Sequence, residues 1–185
     1  MSIRLDNISF LVVDDNDHMR QMVRSVLRSL GSRSIREARG GQEAIEALEA
    51  GAPDILITDW AMDGMDGLDL TRHVRTSDRS PNIYLPIIML TAFAERARVY
   101  TARDAGVTEF LIKPLSATAL FNRVSTIIEH PRPFVRVGQF FGPDRRRRKD
   151  QWSGEERRGH GSRKAVAPPR HAAMSQGEVN KLFNP

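Results

Sequence analysis

Between residues 8 and 130, short runs of apolar, β-prone residues alternate with segments whose apolar residues recur every three or four positions. This alternation constrains the fold more than any other feature of the chain. Residues 8–13 form the first apolar run and end in Asp14 and Asp15, and Asn16 or Asp17 can cap the helix after them. Met19, Met22, Val23, Val26, Leu27 and Leu30 then fall on one helical face, and Gly31 supplies a stop. Residues 32–38 read as a weaker, arginine-flanked strand near an edge, and residues 42–50 as a helix with Ala44, Ile45 and Leu48 inward. A third strand over 55–58 runs into Asp59, and a third helix carries Leu68, Leu70 and Val74. A fourth strand over 86–90 ends in Thr91, and a helix over about 94–105 stops at Gly106. A fifth strand over 108–112 ends in Lys113-Pro114. Ala117, Leu120, Phe121, Val124, Ile127 and Ile128 define a last helix, closed before Pro131. Strand and helix in strict alternation predict an α/β domain, a parallel sheet doubly wound with helices on both faces.

The polar residues at the strand ends carry the chemistry. Ligands of open α/β sheets bind at the carboxyl ends of the strands, so Asp14, Asp15, Asp59, Thr91 and Lys113 are expected to converge there. Any one of them alone reads equally well as a loop or helix cap. Together they form a set in which clustered carboxylates need a positive partner. A hard divalent cation such as Mg²⁺, which takes oxygen ligands and keeps waters, answers that need, and Lys113 adds a point charge. Phosphoryl transfer to a carboxylate nucleophile, here Asp59, is the reaction that would use the whole set.

Leu11-Val-Val-Asp-Asp15, Thr58-Asp-Trp-Ala-Met-Asp-Gly-Met-Asp-Gly67, Met89-Leu-Thr-Ala92 and Phe110-Leu-Ile-Lys-Pro114 stand in order. These blocks closely resemble the receiver domain of two-component response regulators, most of all the stand-alone chemotaxis (CheY-like) regulators, over residues 7 to 130. The resemblance implies a flavodoxin-like five-stranded sheet in the order 2-1-3-4-5. It implies that Asp59 is the phosphoacceptor for a histidine kinase phosphohistidine. Asp15, Asp59 and the backbone carbonyl of Ala61 would bind Mg²⁺ directly, with Asp14 acting through water. Thr91 would move toward the phosphoryl group, Lys113 would pair with it, and Phe110 would be the aromatic switch that turns inward. Two features depart from the family or bear on phosphoryl lifetime. Asp63 stands where the family has proline, and Ala61 and Phe93 are apolar positions facing the path of a hydrolytic water.

The remainder of the chain differs in kind. Residues 131–185 carry 13 Lys+Arg and 5 Asp+Glu, a net of +8 against −3 for residues 1–130. Residues 131–170 are rich in Gly, Pro, Ser and arginine and are expected to form a disordered basic linker, although Phe134 to Val137 with Phe140 and Phe141 can pack back as an extended arm. Binding of this basic run to RNA, DNA, anionic lipid or an acidic protein stays open, because such affinity is electrostatic and unspecific.

Residues 171–185 read as a short amphipathic helix motif. Ser175 and Glu178 form a capping box, Met174 and Val179 a hydrophobic staple, and Val179, Leu182 and Phe183 share a face. The peptide is similar to the N-terminal peptide of the flagellar switch protein that binds chemotaxis regulators, with Asn180 in place of an acidic residue. It is expected to dock on the face around the fourth helix and last strand, of its own domain as an internal brake or of a second regulator.

With no cysteine, no apolar leader and no span long enough to cross a bilayer, the expectation is a cytoplasmic protein. It is expected to be a phosphorylation-dependent signalling switch with downstream protein partners. The alternatives are a receiver-gated adaptor acting through its basic tail and, in a third class, a Mg²⁺-dependent phosphohydrolase with multiple turnover. Thr91 with Phe110-x-x-Lys113 favours a switch over a turnover enzyme.

Overall fold

The computed structural model describes residues 5–92, 95–138, 140–144 and 176–183, and of 178 and 181–183 the backbone only. The alternation seen in the sequence becomes β1 (Ser9–Val13), α1 (Asp17–Ser29), β2 (Ser34–Ala38), α2 (Gly41–Glu49), β3 (Ile55–Asp59), α3 (Gly67–Thr76), β4 (Ile87–Thr91), α4 (Arg96–Ala105), β5 (Glu109–Ile112) and α5 (Ala117–Glu129). All neighbouring strands of the main sheet pair in parallel, in the order β2-β1-β3-β4-β5. The order reverses between β1 and β3, which opens a crevice at the carboxyl ends of those two strands.

Because side chains alternate along a strand, each central strand feeds two layers. Phe10, Val12, Ile55, Ile57, Ile88, Leu90 and Leu111 face α1 and α5 and meet Val23, Leu27, Leu120 and Val124. Leu11, Val13, Leu56 and Ile87 face the opposite layer, against Ala44, Ile45 and Leu48 of α2 and Leu70 and Val74 of α3. Next to that layer, Met89 and Phe110 pack with Val99 and Ala102 of α4. Each fully buried Leu, Ile or Val contributes about 1.5–3 kcal/mol of transfer free energy, so the two layers hold the sheet rigid beneath its carboxyl edge. Met22 and Ile128, both expected inward, are solvent-exposed instead. Each lies at the margin of its helix's apolar stripe.

Asn16, one of the two expected caps, and Gly106, the expected stop, act as such, and two further caps join them. The Asn16 side chain accepts from the N–H groups of His18 and Met19 and starts α1, while Ser116 and Asp66 cap α5 and α3 through Ala119 and Asp69. Gly106, at φ 97°, ends α4 in the left-handed conformation that favours glycine.

The segment expected to begin a disordered linker is in part ordered. β6 (Phe134–Val137) and β7 (Phe140–Pro143) form an antiparallel hairpin. Phe134 and Phe141 meet Tyr84 edge-on at 5.3 and 5.5 Å, and the Arg75 guanidinium lies 5.0 Å from the Phe134 ring centre. Arg75 in turn donates to the carbonyls of Gly106 and Ile83, which ties the hairpin to the amino ends of β4 and β5, opposite the crevice. Three aromatic rings supply the apolar area that holds this hairpin against the domain. Residues 145–175, including the basic run, Met174 and Ser175, lie outside the described residues. Among the described residues no helix is long and apolar enough to cross a membrane.

α6 (Gln176–Phe183) returns to the domain along β5, the strand that would otherwise be the sheet edge. The Gln176 side-chain carbonyl accepts from the Ile112 N–H at 2.7 Å, and its amide nitrogen donates to the Phe110 carbonyl at 3.3 Å. Val179 is fully buried with Phe110, Trp60, Val99 and Met89. Asn180 accepts from Gln176 at 2.7 Å and from the Arg123 guanidinium of α5.

One glycine controls the approach of α3 to the crevice. A Cβ on Gly67 would stand 2.0 Å from the Asp59 carbonyl oxygen, a backbone atom that cannot move aside cheaply. Gly67→Ala is expected to destabilise the fold by about 2–3 kcal/mol, read as a lowered urea midpoint with unchanged slope.

Candidate functional site

Three carboxylates meet at the switch-point crevice. Asp14 follows β1 immediately, Asp15 is next to it, and Asp59 is the last residue of β3. One oxygen from each lies within 4.8 Å of the others. Asp14 and Asp59 are buried and Asp15 is exposed, so the cluster has a closed floor and an open rim. From the end of β5 the Lys113 ammonium reaches between them, 3.0 Å from Asp14 Oδ2 and 2.9 Å from Asp59 Oδ1. Thr91, the last residue of β4, is buried beside it: Thr91 pairs in register with Ile112, and the Lys113 N–H donates to the Thr91 carbonyl at 2.7 Å. All five residues expected at the strand ends stand there, and the parallel register brings them together.

Burial raises the Asp59 carboxyl above its ordinary value, against the hydrogen bond and charge of Lys113, with the nearby Asp14 carboxylate adding to the rise. Burial works to lower Lys113, but its hydrogen bonds and ion pairs with Asp59 and Asp14 outweigh that and hold the ammonium above its usual value. The pair is thus an ammonium held tightly between two carboxylates, one of which ionises at a cost. That cost is what an added positive charge in the crevice would relieve.

Several supporting contacts are not evident from the strand-end pattern. The Asn16 N–H donates to Asp14 Oδ1 at 2.9 Å, and Arg20, one turn into α1, donates to the Asp14 backbone carbonyl at 2.7 Å. Thr58 Oγ1 donates to the Asp59 carbonyl at 2.9 Å. The Trp60 N–H donates to the Leu90 carbonyl, and the Gly67 N–H to the Trp60 carbonyl, both at 2.9 Å, which fixes the loop after Asp59. Asp63, where the family pattern has proline, uses the N–H that proline lacks: it donates to Asp15 Oδ2 at 3.3 Å. Ala61 is exposed on the same loop. Phe93 lies outside the described residues.

Phe110 is fully buried and meets Trp60 edge-on at 6.2 Å, so the ring next to α6 also touches the residue that follows Asp59. The partner face expected from Met174, Ser175, Glu178, Val179, Leu182 and Phe183 is described only at Val179, which does pack on the domain. Gln176 and Asn180 carry the polar contacts of α6, and an amphipathic pattern that weighs apolar residues alone does not single them out.

Fold and crevice together define an α/β domain with an acidic, lysine-bridged centre at its switch point. The chain belongs to the response regulator receiver domain family of two-component signalling, whose model matches residues 10–125. It is 39% identical over 122 residues to the chemotaxis protein CheY of Pseudomonas aeruginosa, covering 66% of this chain and 97% of that one. It is 37% identical over 123 residues to CheY-3 of Vibrio cholerae, covering 66% and 93%. Among solved structures it is similar to the receiver domain of a sensor histidine kinase from Pseudomonas aeruginosa PAO1, which has a magnesium ion coordinated in its active-site cleft. That similarity is 28% in identity over 66% of this chain and 98% of the other, with a TM-score of 0.59.

The raised Asp59 carboxyl sets a sign. Relative to the unfolded chain, folding favours protonation of this carboxyl, so its ionisation costs stability above the folded value and the cost fades as pH falls through that value toward the unfolded one. Asp59→Asn is expected to raise Tm at pH 7 without divalent metal by roughly 2–5 °C, measured by differential scanning calorimetry.

Proposed function

We propose that the protein is a phosphorylation-dependent signalling switch in which Asp59 accepts a phosphoryl group from the phosphohistidine of a histidine kinase. The observation that carries this reading is the Lys113 ammonium lying 2.9 Å from Asp59 and 3.0 Å from Asp14 within a cluster of three carboxylates. An Asp59 carboxylate oxygen attacks phosphorus in line with the departing imidazole. The O–P bond forms as the N–P bond breaks, and the electron pair of that bond returns to the imidazole nitrogen. Lys113 and Thr91 then have phosphoryl oxygens to hold in place of the free carboxylate.

The donor set fits magnesium: all oxygen, two buried carboxylates and one at an open rim where waters can stay. Asp15, Asp59 and the Ala61 carbonyl would hold it directly and Asp14 through water, and the bound ion would supply positive charge against the phosphoryl oxygens. The magnesium-bearing Pseudomonas receiver supports this assignment by similarity.

The readout runs through β5. Lys113 is continuous with Ile112 and Phe110, whose backbone groups hold Gln176, and Thr91 is hydrogen-bonded across from them. A shift of Lys113 and Thr91 toward a phosphoryl group is therefore passed to Phe110 and to the face beneath α6, where a downstream protein partner binds. The phosphoryl group stays on the protein until water removes it, so the molecule is a switch and not a turnover enzyme. A histidine kinase as donor and the absence of cysteine are consistent with action in the cytoplasm.

Incubation with acetyl phosphate and Mg²⁺, followed by intact-mass spectrometry, is expected to show one phosphoryl adduct. It should vanish in Asp59→Asn and when Mg²⁺ is chelated. Lys113→Ala is expected to lower the phosphorylation rate by on the order of 10²-fold. An adduct retained in Asp59→Asn would overturn the assignment.

A further inference from the structure

At the amino ends of β4 and β5, the end of the sheet away from the acidic crevice, the chain encloses a cavity of about 240 Å³. It lies between the last turn of α5 and the residues that lead into the hairpin, and Thr108 and Glu109 form part of its wall. Pro131, Arg132 and Phe134 line it and stand beyond residues 10–125, so the cavity depends on this chain's own continuation past the stretch shared with the family. Tyr84, His130 and Pro131 are exposed at its rim, which leaves a way in from solvent.

Size and lining limit what it can take. A cavity of about 150 Å³ lined by Leu, Ile and Phe is enough for benzene. This one has room for a six-membered ring with one small substituent, and falls short of the roughly 300–1,000 Å³ that larger ligands occupy. Pro86, Ile127 and Pro131 offer apolar surface, and Tyr84 and Phe134, whose rings meet edge-on at 5.3 Å, offer an aromatic wall.

The polar groups decide the charge of the substituent. Glu109 is 1% exposed and both its oxygens already meet guanidinium groups, Oε2 that of Arg123 at 3.2 Å and Oε1 that of Arg132 at 3.5 Å. An incoming cation would find that carboxylate engaged and would face Arg132. An incoming carboxylate would meet Arg132 favourably, because its planar fork of N–H donors can hold a second acceptor beside Glu109. Thr108 Oγ1 accepts from the Ile87 N–H at 3.1 Å, which leaves its own proton to donate, and the His130 imidazole lines the same space.

We infer that this cavity is a binding site for a small aromatic carboxylate, a single ring with its acid group on Arg132 and Thr108 and its body against Ile127 and the two prolines. The occupant would join the end of α5 to the amino ends of β4 and β5 and to the start of the hairpin. The site is separate from the acidic crevice and does not depend on Asp59 being modified.

The test is a titration of full-length, isotopically labelled protein with sodium benzoate, followed through the backbone amide NMR signals. Benzoate is expected to shift Thr108, Glu109, Ile127 and Arg132 with a Kd of about 1 mM or tighter and to leave residues 58–62 unmoved. Benzylamine, with the same ring and the opposite charge, should leave all these signals in place, and benzyl alcohol should bind at least about tenfold more weakly than benzoate. Arg132→Gln, which keeps a polar side chain without the charge, is expected to weaken benzoate by about tenfold or more, and the spectrum itself reports that the variant is folded. If that variant does not fold, the three ligands on the wild type still decide. No shift at roughly ten times the expected Kd would overturn the site. Equal binding of benzylamine would overturn the charge of the ligand, and unchanged affinity in Arg132→Gln would overturn the role given to Arg132.

Discussion

Everything at the crevice depends on one ammonium group. Lys113 reaches from the end of β5 to two buried carboxylates, Asp14 and Asp59, that start from β1 and β3. Without that charge two carboxylates would share a partly desolvated space, and one of them would hold its proton. With it the cluster stays anionic enough to attract a cation and poised enough that Asp59 is the less comfortable member. The requirement for a lysine at this point reaches back through the sheet: β5 must pair with β4 in the register that sets Ile112 against Thr91, and β4 with β3 in the register that sets Leu90 against Asp59.

The same strand has a second side. The inner pairing of β5 aligns Lys113 and Thr91, and its outer edge is held by Gln176. The clamps at Phe110 and Ile112 stand two positions apart, and the next residue is Lys113. In the switch proposed above, a short, buried strand bonded on both edges would pass a displacement on, because packed interiors have few voids into which a shift can dissipate. Phe110 lies in the same buried cluster as Val179 of α6, and its ring meets Trp60, the residue after Asp59, edge-on. The opposite end of the sheet is reinforced instead, where the aromatic hairpin and Arg75 bind the amino ends of β4 and β5.

Much of this is legible in the chain. The five helices and five strands of the main domain arise from period-two and period-3.6 patterns with glycine, proline and capping residues between them, and the crevice set arises from the polar residue at each strand end. Contacts between residues far apart in sequence are not legible. The hold of Asn16 and Arg20 on Asp14, the Glu109–Arg123 pair, and the aromatic cluster of Tyr84, Phe134 and Phe141 each need two elements to be placed before they exist. The hairpin reads as the start of a linker because its neighbours are arginine and glycine, and local composition does not reveal that three rings will pack together.

The sequence by itself determined which elements form and which residues stand at their ends, because hydrophobic periodicity and turn chemistry act within a few residues. It also determined that the final segment would be a short amphipathic helix in need of a surface. Only the tertiary structure decided which groups meet: that Asp14, Asp59 and Lys113 share one space, that the Asp63 N–H reaches Asp15, and that a glutamine rather than an apolar residue ties α6 to the edge of β5. Those outcomes depend on strand order and register, which are set by the packing of two layers against the whole sheet and leave no trace in any single stretch of the chain.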